Sequence, residues 1–482
     1  MKSSSKQILI KLKAYFGSDR VLHDPDTLQQ CADDWTEIPG HAPDVVIKIK
    51  SVEQVQFVLQ LANEKKIAVT PRVTNTNIGG LAIAQQGGFL LDFTEMNRIV
   101  EVNEADMYAV IEPGVTWGDM KEHLRENHPA LRFGYSLSPP YASILANCLM
   151  DGLTNLSLKH GTTAQWINGL EAVLPTGEIV RTGIGAVSPT WCSAAPMPDL
   201  TGLFVNFQGT TGIVTKVSVQ LWPNHPFRRR FFILTYDTDA TYDLIAVLVR
   251  AEVCDDIGGL SWPVGKMLFG EKHPLYRDPN EPEQFLYIDV SDEHEDLFET
   301  KLRVVERIVA AQRKKGAKLE SPLDIKKLVQ IAPRFEKFAE FPTELEFLLE
   351  QGGLSWIGTF GPTSRWKEGV KRGMEMMTKH GLPPIVVTRP MRGGHFGVLR
   401  FIEVFDKTNS EQIERVTRLN EELSDLVLEL GFFPYKTPPW LIRRHRDKID
   451  PNFLHLLNKV RKVLDPKGIM NPGKWPVGEP GS

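Results

Sequence analysis

Two glycine-punctuated blocks, more than a hundred residues apart, constrain this chain most. The first is Pro71-Arg72-Val73-Thr74-Asn75-Thr76-Asn77-Ile78-Gly79-Gly80, and the second runs from Gly202 to Lys216 through Gly209-Thr210-Thr211-Gly212-Ile213-Val214. Glycine lets backbone amides approach an anion closely, while Thr, Asn and Gln donate to phosphate or to the polar edge of a ring. Together the blocks point to a long, bent cofactor with a pyrophosphate in its middle. Neither is a Walker loop, because no Gly-Lys-Ser/Thr follows. Taken alone, either block also reads as an ordinary glycine turn.

A length of 482 residues implies two or three domains. Lys and Arg total 56 against 60 Asp and Glu, and that balance argues against nucleic acid as a main partner. Cys31, Cys148, Cys192 and Cys254 are widely spaced, so neither a cysteine metal site nor a disulfide framework is expected. No apolar run is long enough to span a bilayer and the N-terminus lacks a secretory h-region, giving an expected cytoplasmic location. Residues 6–16 form a basic amphipathic pattern that reads as a packed helix.

Val45, Val46 and Ile47 are β-branched and read as a strand, and Ser51 caps a helix with Val55, Val58, Leu59 and Ala62 on one face. A strand over 67–71 then ends at the first glycine block, giving a β-α-β unit whose loop meets the ligand. Strands follow at 88–93, 99–102 and 109–113, a hairpin at 170–181, and a strand at 212–222 closed by Pro223. Beyond Pro223 the strands 229–236, 285–290, 354–360 and 399–405 alternate with helices 240–254, 293–312, 364–380 and 410–430. The expected class is α+β, with a second α+β domain from about 224 to about 430 following a first domain that ends at Pro223.

These blocks resemble the vanillyl-alcohol oxidase and para-cresol methylhydroxylase family of FAD flavoproteins. The likeness runs through the first glycine block, Met96 to Asn103, Val110 to Thr116, Gly169 to Gly183, and Leu464-Asp465-Pro466-Lys467-Gly468-Ile469-Met470-Asn471-Pro472-Gly473-Lys474. The resemblance implies FAD and an oxidoreductase that takes a hydride from an alcohol or benzylic carbon, such as that of a para-substituted phenol. It also implies a helical segment at 1–40, a two-lobed FAD-binding domain at 41–223, an α+β cap domain with an antiparallel sheet at 224–430 and a tail at 431–482 that returns to the flavin. It assigns FAD binding to residues 71–80 (Pro71, Arg72, Val73, Thr74, Asn75, Thr76, Asn77, Ile78, Gly79, Gly80). It adds Pro139, Ser143, Ile144, Asn147, Gly161, Gly212, Ile213, Val214, Asn471 and Lys474. A nicotinamide Rossmann site is disfavoured, since no Gly-x-Gly-x-x-Gly links an early strand to a helix.

Asp151 follows the Ser143–Asn147 segment and is the candidate proton acceptor, with a turn cap as the competing reading. His160 stands before Gly161, where relatives carry Tyr, and is a candidate to hydrogen-bond substrate or flavin; it could equally satisfy a loop carbonyl. Tyr435-Lys436 resembles a Tyr-Arg pair that holds the phenolate of para-substituted phenols. Lys here loses the bidentate fork of Arg, and Ile78 stands where phenol oxidisers can offer another tyrosine. Arg389, Arg392 and Arg400, near His395, are candidates to pair with a substrate carboxylate. The position matching a second, metal-binding histidine of the hydroxy-acid dehydrogenases is Ile402, so no metal is expected. No His or Cys matches a flavin linkage and Cys148 reads as a buried small residue, so FAD is expected to be non-covalent.

The alternatives are a D-2-hydroxy-acid dehydrogenase and a non-catalytic flavin-binding or electron-transfer subunit. Expected partners are a small-molecule substrate and an electron acceptor (oxygen, quinone or redox protein), and the resemblance also admits a homodimer.

Overall fold

Three large sheets and a two-stranded ribbon (131–132 with 222–223) carry the chain, in a computed structural model that describes residues 3–344 and 346–475. The first is built around the predicted β-α-β unit. Strands 45–48, 89–92 and 69–72 run parallel, with 21–22 added antiparallel at the edge. Helix Val52–Lys65 crosses over between them, its Ser51 side chain accepting from the Gln54 amide. It buries Val55, Val58, Leu59 and Ala62 against Ile47, Val69 and Leu91. Both strand faces are covered, as a parallel sheet requires. The helix at Ser3–Phe16 packs Leu9, Leu12 and Phe16 into the same core.

The second sheet is antiparallel, in the order 99–103, 108–111, 213–220, 167–173, 179–181. Its core gathers Trp117, Phe133, Trp166, Leu170 and Val217. The second glycine block leads directly into strand 213–220. The first follows strand 69–72 of the other sheet.

The third sheet has eight strands, ordered 323–324, 227–235, 284–292, 256–261, 385–391, 396–406, 352–361, 433–434, with every named pairing antiparallel. Alternation sends Ile233, Leu286, Phe401 and Phe405 to one face, where helices 238–250, 295–314, 366–379 and 410–429 cover them. Phe232, Phe285, Tyr287 and Ile402 point to the other face, against Trp262, Phe335 and Phe338. The α+β class and the antiparallel cap sheet are as expected. Strands 256–261 and 385–391 are additional, and the sheet takes its last strand from 433–434, beyond Leu430.

Residues 465–475 return to the first sheet. Met470 forms a parallel bridge with Val69, whose amide donates to Ile469 O while its carbonyl accepts from the Asn471 amide. No helix among the described residues is long and apolar enough to cross a membrane.

Candidate active site

A cleft of about 1450 Å³, counting its open mouth, runs where the three sheets meet. Pro71 to Asn77 form one wall. Ser136 to Pro139, Ser143, Asn147 and Met150 form another, and Gln208, Gly209, Gly212, Ile213, Val214 and Asn471 a third. Trp35, Trp356, Arg400, Tyr435 and Lys436 also line it. Both glycine blocks and the tail therefore converge on one cavity.

Asn471 ties these stretches together. Its Nδ2 donates to Leu81 O at 3.2 Å and Gln208 O at 2.7 Å, and its own backbone pairs with Val69. Gln208 Nε2 in turn donates to Thr437 O at 2.7 Å, fixing the second block to the Tyr435 loop. At the first block, Asn75 takes φ 55° and donates to Asp33 O at 2.9 Å. Asp34 accepts from the Gly80 amide at 2.9 Å.

These walls fit a dinucleotide. The amides of Val73 to Asn77 make no hydrogen bond within the described chain, so five donors are left in one turn. Arg72 makes no ion pair among the described residues and binds only Cys31. Asn75 Oδ1, Gln208 Oε1 and Asn471 Oδ1 are buried without partners. Buried polar atoms are normally satisfied, so such a set marks a place for a polar ligand. At Gly209, a Cβ would come within 3.0 Å of Pro71 Cγ, across the gap between the two blocks. The second block therefore needs glycine to pass so close to the first.

The expected binding residues separate into two groups. Pro71 to Asn77, Pro139, Ser143, Asn147, Gly212, Ile213, Val214 and Asn471 line the cleft. Ile78, Gly79, Gly80, Ile144, Gly161 and Lys474 stand behind it. Gly79 faces Pro438 and Lys436 O, and Gly80 packs on Ile38. Ile144 is fully buried in the second core, and Gly161 ends helix 157–160 with φ 81°. Lys474 Nζ is buried and donates to Gly80 O at 2.6 Å and Ile83 O at 3.2 Å, and burial lowers it to about 7. It holds the loop rather than facing the cleft.

At the cap end, register sets the chemistry. Gly358 pairs with Arg400, and the Tyr435 amide donates to Gly358 O at 3.2 Å. A Cβ on Gly358 would lie 3.1 Å from the Tyr435 ring and 3.2 Å from Arg400 Nε, so glycine makes room for the pair. Arg400 Nη2 donates to the Tyr435 hydroxyl in a short hydrogen bond. The Tyr435 ring stacks on Phe360, centroids 4.6 Å apart at 9°. Trp356 has Lys436 Nζ 5.1 Å and the Arg400 guanidinium 5.1 Å from its ring centre. Neither cation has a carboxylate partner among the described residues. Burial, then repulsion from Arg400, lowers Lys436 to about 7.

Two expected catalytic side chains lie elsewhere. Asp151 does not line the cleft. It takes φ 50° at the end of helix 144–149, and its carboxylate faces Thr162, the Ala164 amide and Asn206. Burial raises its pKa, and its Oδ1 is buried without a hydrogen-bond partner. His160 stacks on Trp222, centroids 4.7 Å apart, and its carbonyl accepts from Trp166 Nε1 at 2.9 Å. Burial, then Lys159 and Arg132, lower its pKa to about 4. Arg389 is consumed by Asp256 at 2.7 Å and Thr154 O at 2.7 Å. Arg392 and His395 are exposed outside the cleft, leaving Arg400 alone of the three arginines at the site. Cys148 is buried in the second core with its thiol pushed up to about 12.

Residues 43–183 match the FAD binding domain family, and residues 356–475 match the C-terminal domain of FAD linked oxidases, together more than half of the chain. The chain belongs to the p-cresol methylhydroxylase-type family of FAD-linked oxidoreductases. FAD is its cofactor, and it is an enzyme rather than a bare flavin carrier. Similar members include the 4-cresol dehydrogenase [hydroxylating] flavoprotein subunit of Pseudomonas putida, 26% identical over 96% of this chain and 94% of that one. Glycolate oxidase subunit GlcD of Bacillus subtilis (strain 168) is also 26% identical, over 90% and 88%. The fold matches substrate-bound p-cresol methylhydroxylase with a TM-score of 0.85 at 23% identity, covering 99% of this chain and 98% of that one.

Sequence reasoning missed Trp35, Trp356, Gly358 and Gln208. Gln208 lay within a quoted block, beside Gly209. Trp356 and Gly358 carry no local signal, because cross-strand register sets them beside Arg400 and Tyr435, and Trp35 reaches the cleft from a loop whose Trp35 carbonyl accepts from the Leu354 amide.

Proposed function

We propose that this oxidoreductase acts on a para-hydroxylated benzylic substrate, taking a hydride from the carbon para to a phenolate. The observation that carries the reading is the convergence of the Tyr435 hydroxyl, Arg400 and Lys436 on a largely apolar cleft, with no carboxylate facing them. Arg400 and Lys436 are half-buried; cations drawn partly out of water without counterions are costly, and an anionic ligand offsets that cost. A phenolate oxygen held there has its charge shared by a hydroxyl and two cations. Its ring lies against Trp356 and the apolar walls, and electron release from oxygen eases departure of hydride from the para carbon. FAD, when bound, supplies the two-electron oxidant.

In this reading Val73 to Asn77 donate their free amides to the pyrophosphate, and Arg72 adds positive charge. Gln208, Gly209, Gly212 to Val214, Ser143, Asn147 and Asn471 hold the rest of the cofactor. Non-covalent attachment is part of this reading, supported by the lack of His or Cys among the described residues lining the cleft and by the hydrogen bond that its Tyr accepts from Arg400. Residues 41–223 act as the FAD domain and the segment from 224 through strand 433–434 as the cap. A cytoplasmic location is supported by four unpaired cysteines.

The second reading is oxidation of a D-2-hydroxy acid, whose carboxylate the same cations would accept. Relatives named glycolate oxidase subunit and D-lactate dehydrogenase favour it. Anaerobic mixing with 4-hydroxybenzyl alcohol and, separately, D-lactate distinguishes the two. Bleaching of the flavin by the phenolic alcohol is expected. Bleaching by D-lactate alone overturns the phenol reading.

A further inference from the structure

The cleft contains no built-in acid or imidazole. Among the described residues that line it, Arg72, Arg400, Tyr435 and Lys436 are the only titratable side chains. Yet oxidation of a phenolic substrate through its phenolate needs somewhere for the hydroxyl proton to go. Arg400 and Arg72 cannot accept it, because a guanidinium keeps its proton in a protein. The Tyr435 hydroxyl already accepts a hydrogen bond from Arg400.

Lys436 is differently placed. Its Nζ has no hydrogen-bond or ion-pair partner among the described residues and lies over Trp356. The charged group facing it is Arg400, on strand 396–406; strand 352–361 presents only the Trp356 indole, and its own loop presents Tyr435. Two like charges in a half-buried, carboxylate-free pocket cannot both be kept cheaply, and the lysine is the one able to give up its proton. The lowered pKa of Lys436 agrees with this placement.

We infer that Lys436 is the proton acceptor of the reaction, its neutral amine taking the hydroxyl proton of the phenol bound beside Tyr435 and Arg400. The inference rests on the phenol reading above. In the step, the substrate O–H bond breaks and an N–H bond forms on Nζ. The electron pair stays on the phenolate oxygen, and no electron leaves the substrate. The ammonium so made is the counterion of the phenolate that made it. An arginine at this position would hold a phenolate but could not take its proton.

The test uses FAD-loaded protein and 4-hydroxyacetophenone, a phenol that offers no hydride and whose ionisation is visible in its absorbance. Binding is followed at pH 8 by absorbance and by calorimetry in two buffers of different ionisation enthalpy, which counts protons. The wild type is expected to bind the phenolate while keeping its proton. Lys436→Arg is expected to bind the phenolate too, but to release about one more proton per probe bound than the wild type. Equal proton counts with phenolate spectra in both would overturn the lysine's role and leave the anion site standing. A neutral-phenol spectrum in both, or no binding in either, would overturn the phenol reading and this inference with it. The wild type alone gives a second readout. Its rate of flavin reduction by 4-hydroxybenzyl alcohol should fall about tenfold per pH unit below the lysine's pKa; a rate flat with pH, or rising toward acid, contradicts the assignment.

Discussion

Tyr435→Phe isolates one oxygen atom at the anion site. The ring is buried and stacked on Phe360, and phenylalanine keeps that packing. What disappears is the hydroxyl that accepts from Arg400 Nη2. Hydrogen bonds involving a charged group contribute about 1.5–3 kcal/mol. If the hydroxyl helps hold the developing phenolate, the loss appears in the barrier. At about 1.4 kcal/mol per tenfold, flavin reduction by 4-hydroxybenzyl alcohol should slow ~10- to 150-fold. The assay is anaerobic stopped-flow reduction at saturating substrate, with FAD content and thermal midpoint measured on the same preparation. An intact, fully loaded variant reduced within threefold of the wild-type rate would refute the argument that this hydroxyl faces the reacting substrate.

Three further outcomes follow from the geometry. Asp151→Asn and His160→Phe should each leave the rate of flavin reduction within about threefold and its pH profile unmoved, because neither side chain lines the cleft; a rate loss above about 100-fold for either, of the size general acid–base catalysis supplies, would return it to the chemistry. Lys436 is lowered to about 7 in the folded protein from an ordinary 10.5. The unfolded chain therefore binds more protons between those values, and this lysine's penalty on stability is full below pH 7 and relieved as pH rises toward 10. The stability advantage of Lys436→Met over wild type, measured by denaturant unfolding, should accordingly shrink between pH 7 and pH 9.5. Asn471→Ala leaves Leu81 O and Gln208 O without their shared donor at a cost of about 1–3 kcal/mol, and should lower FAD retention on gel filtration more than it lowers the thermal midpoint of the apoprotein.

Local patterns were legible where the physics is local. Ser51, the apolar face of the helix after it, and the strand before the first glycine block were readable from cap chemistry and periodicity, and all sit as expected. The glycine blocks pointed to a turn with exposed amides, and the first one leaves the amides of Val73 to Asn77 without partners among the described residues. Asp151 and His160 lie off the cleft because sequence proximity to a cleft-lining segment does not fix side-chain direction. A left-handed backbone at Asp151 turns its carboxylate to the 162–164 loop, and Trp222, a partner 62 residues on, captures the His160 ring. Strands 256–261 and 385–391 were hidden for another reason: the first carries two glycines and the second a proline. Trp356, Gly358 and Arg400 meet Tyr435 through pairing across an eight-stranded sheet, a relation no window of sequence contains.

The tail's bridge to Val69 bears on the order of events in synthesis. Strand 69–72 and its loop leave the ribosome some four hundred residues before the segment that completes them. Until residues 469–471 are made, the carbonyls of Leu81 and Gln208 lack the amide that joins them. A nascent chain can therefore build its cap sheet through strand 433–434 and still have no finished cradle. The cradle is therefore joined by a segment made about four hundred residues after its first wall.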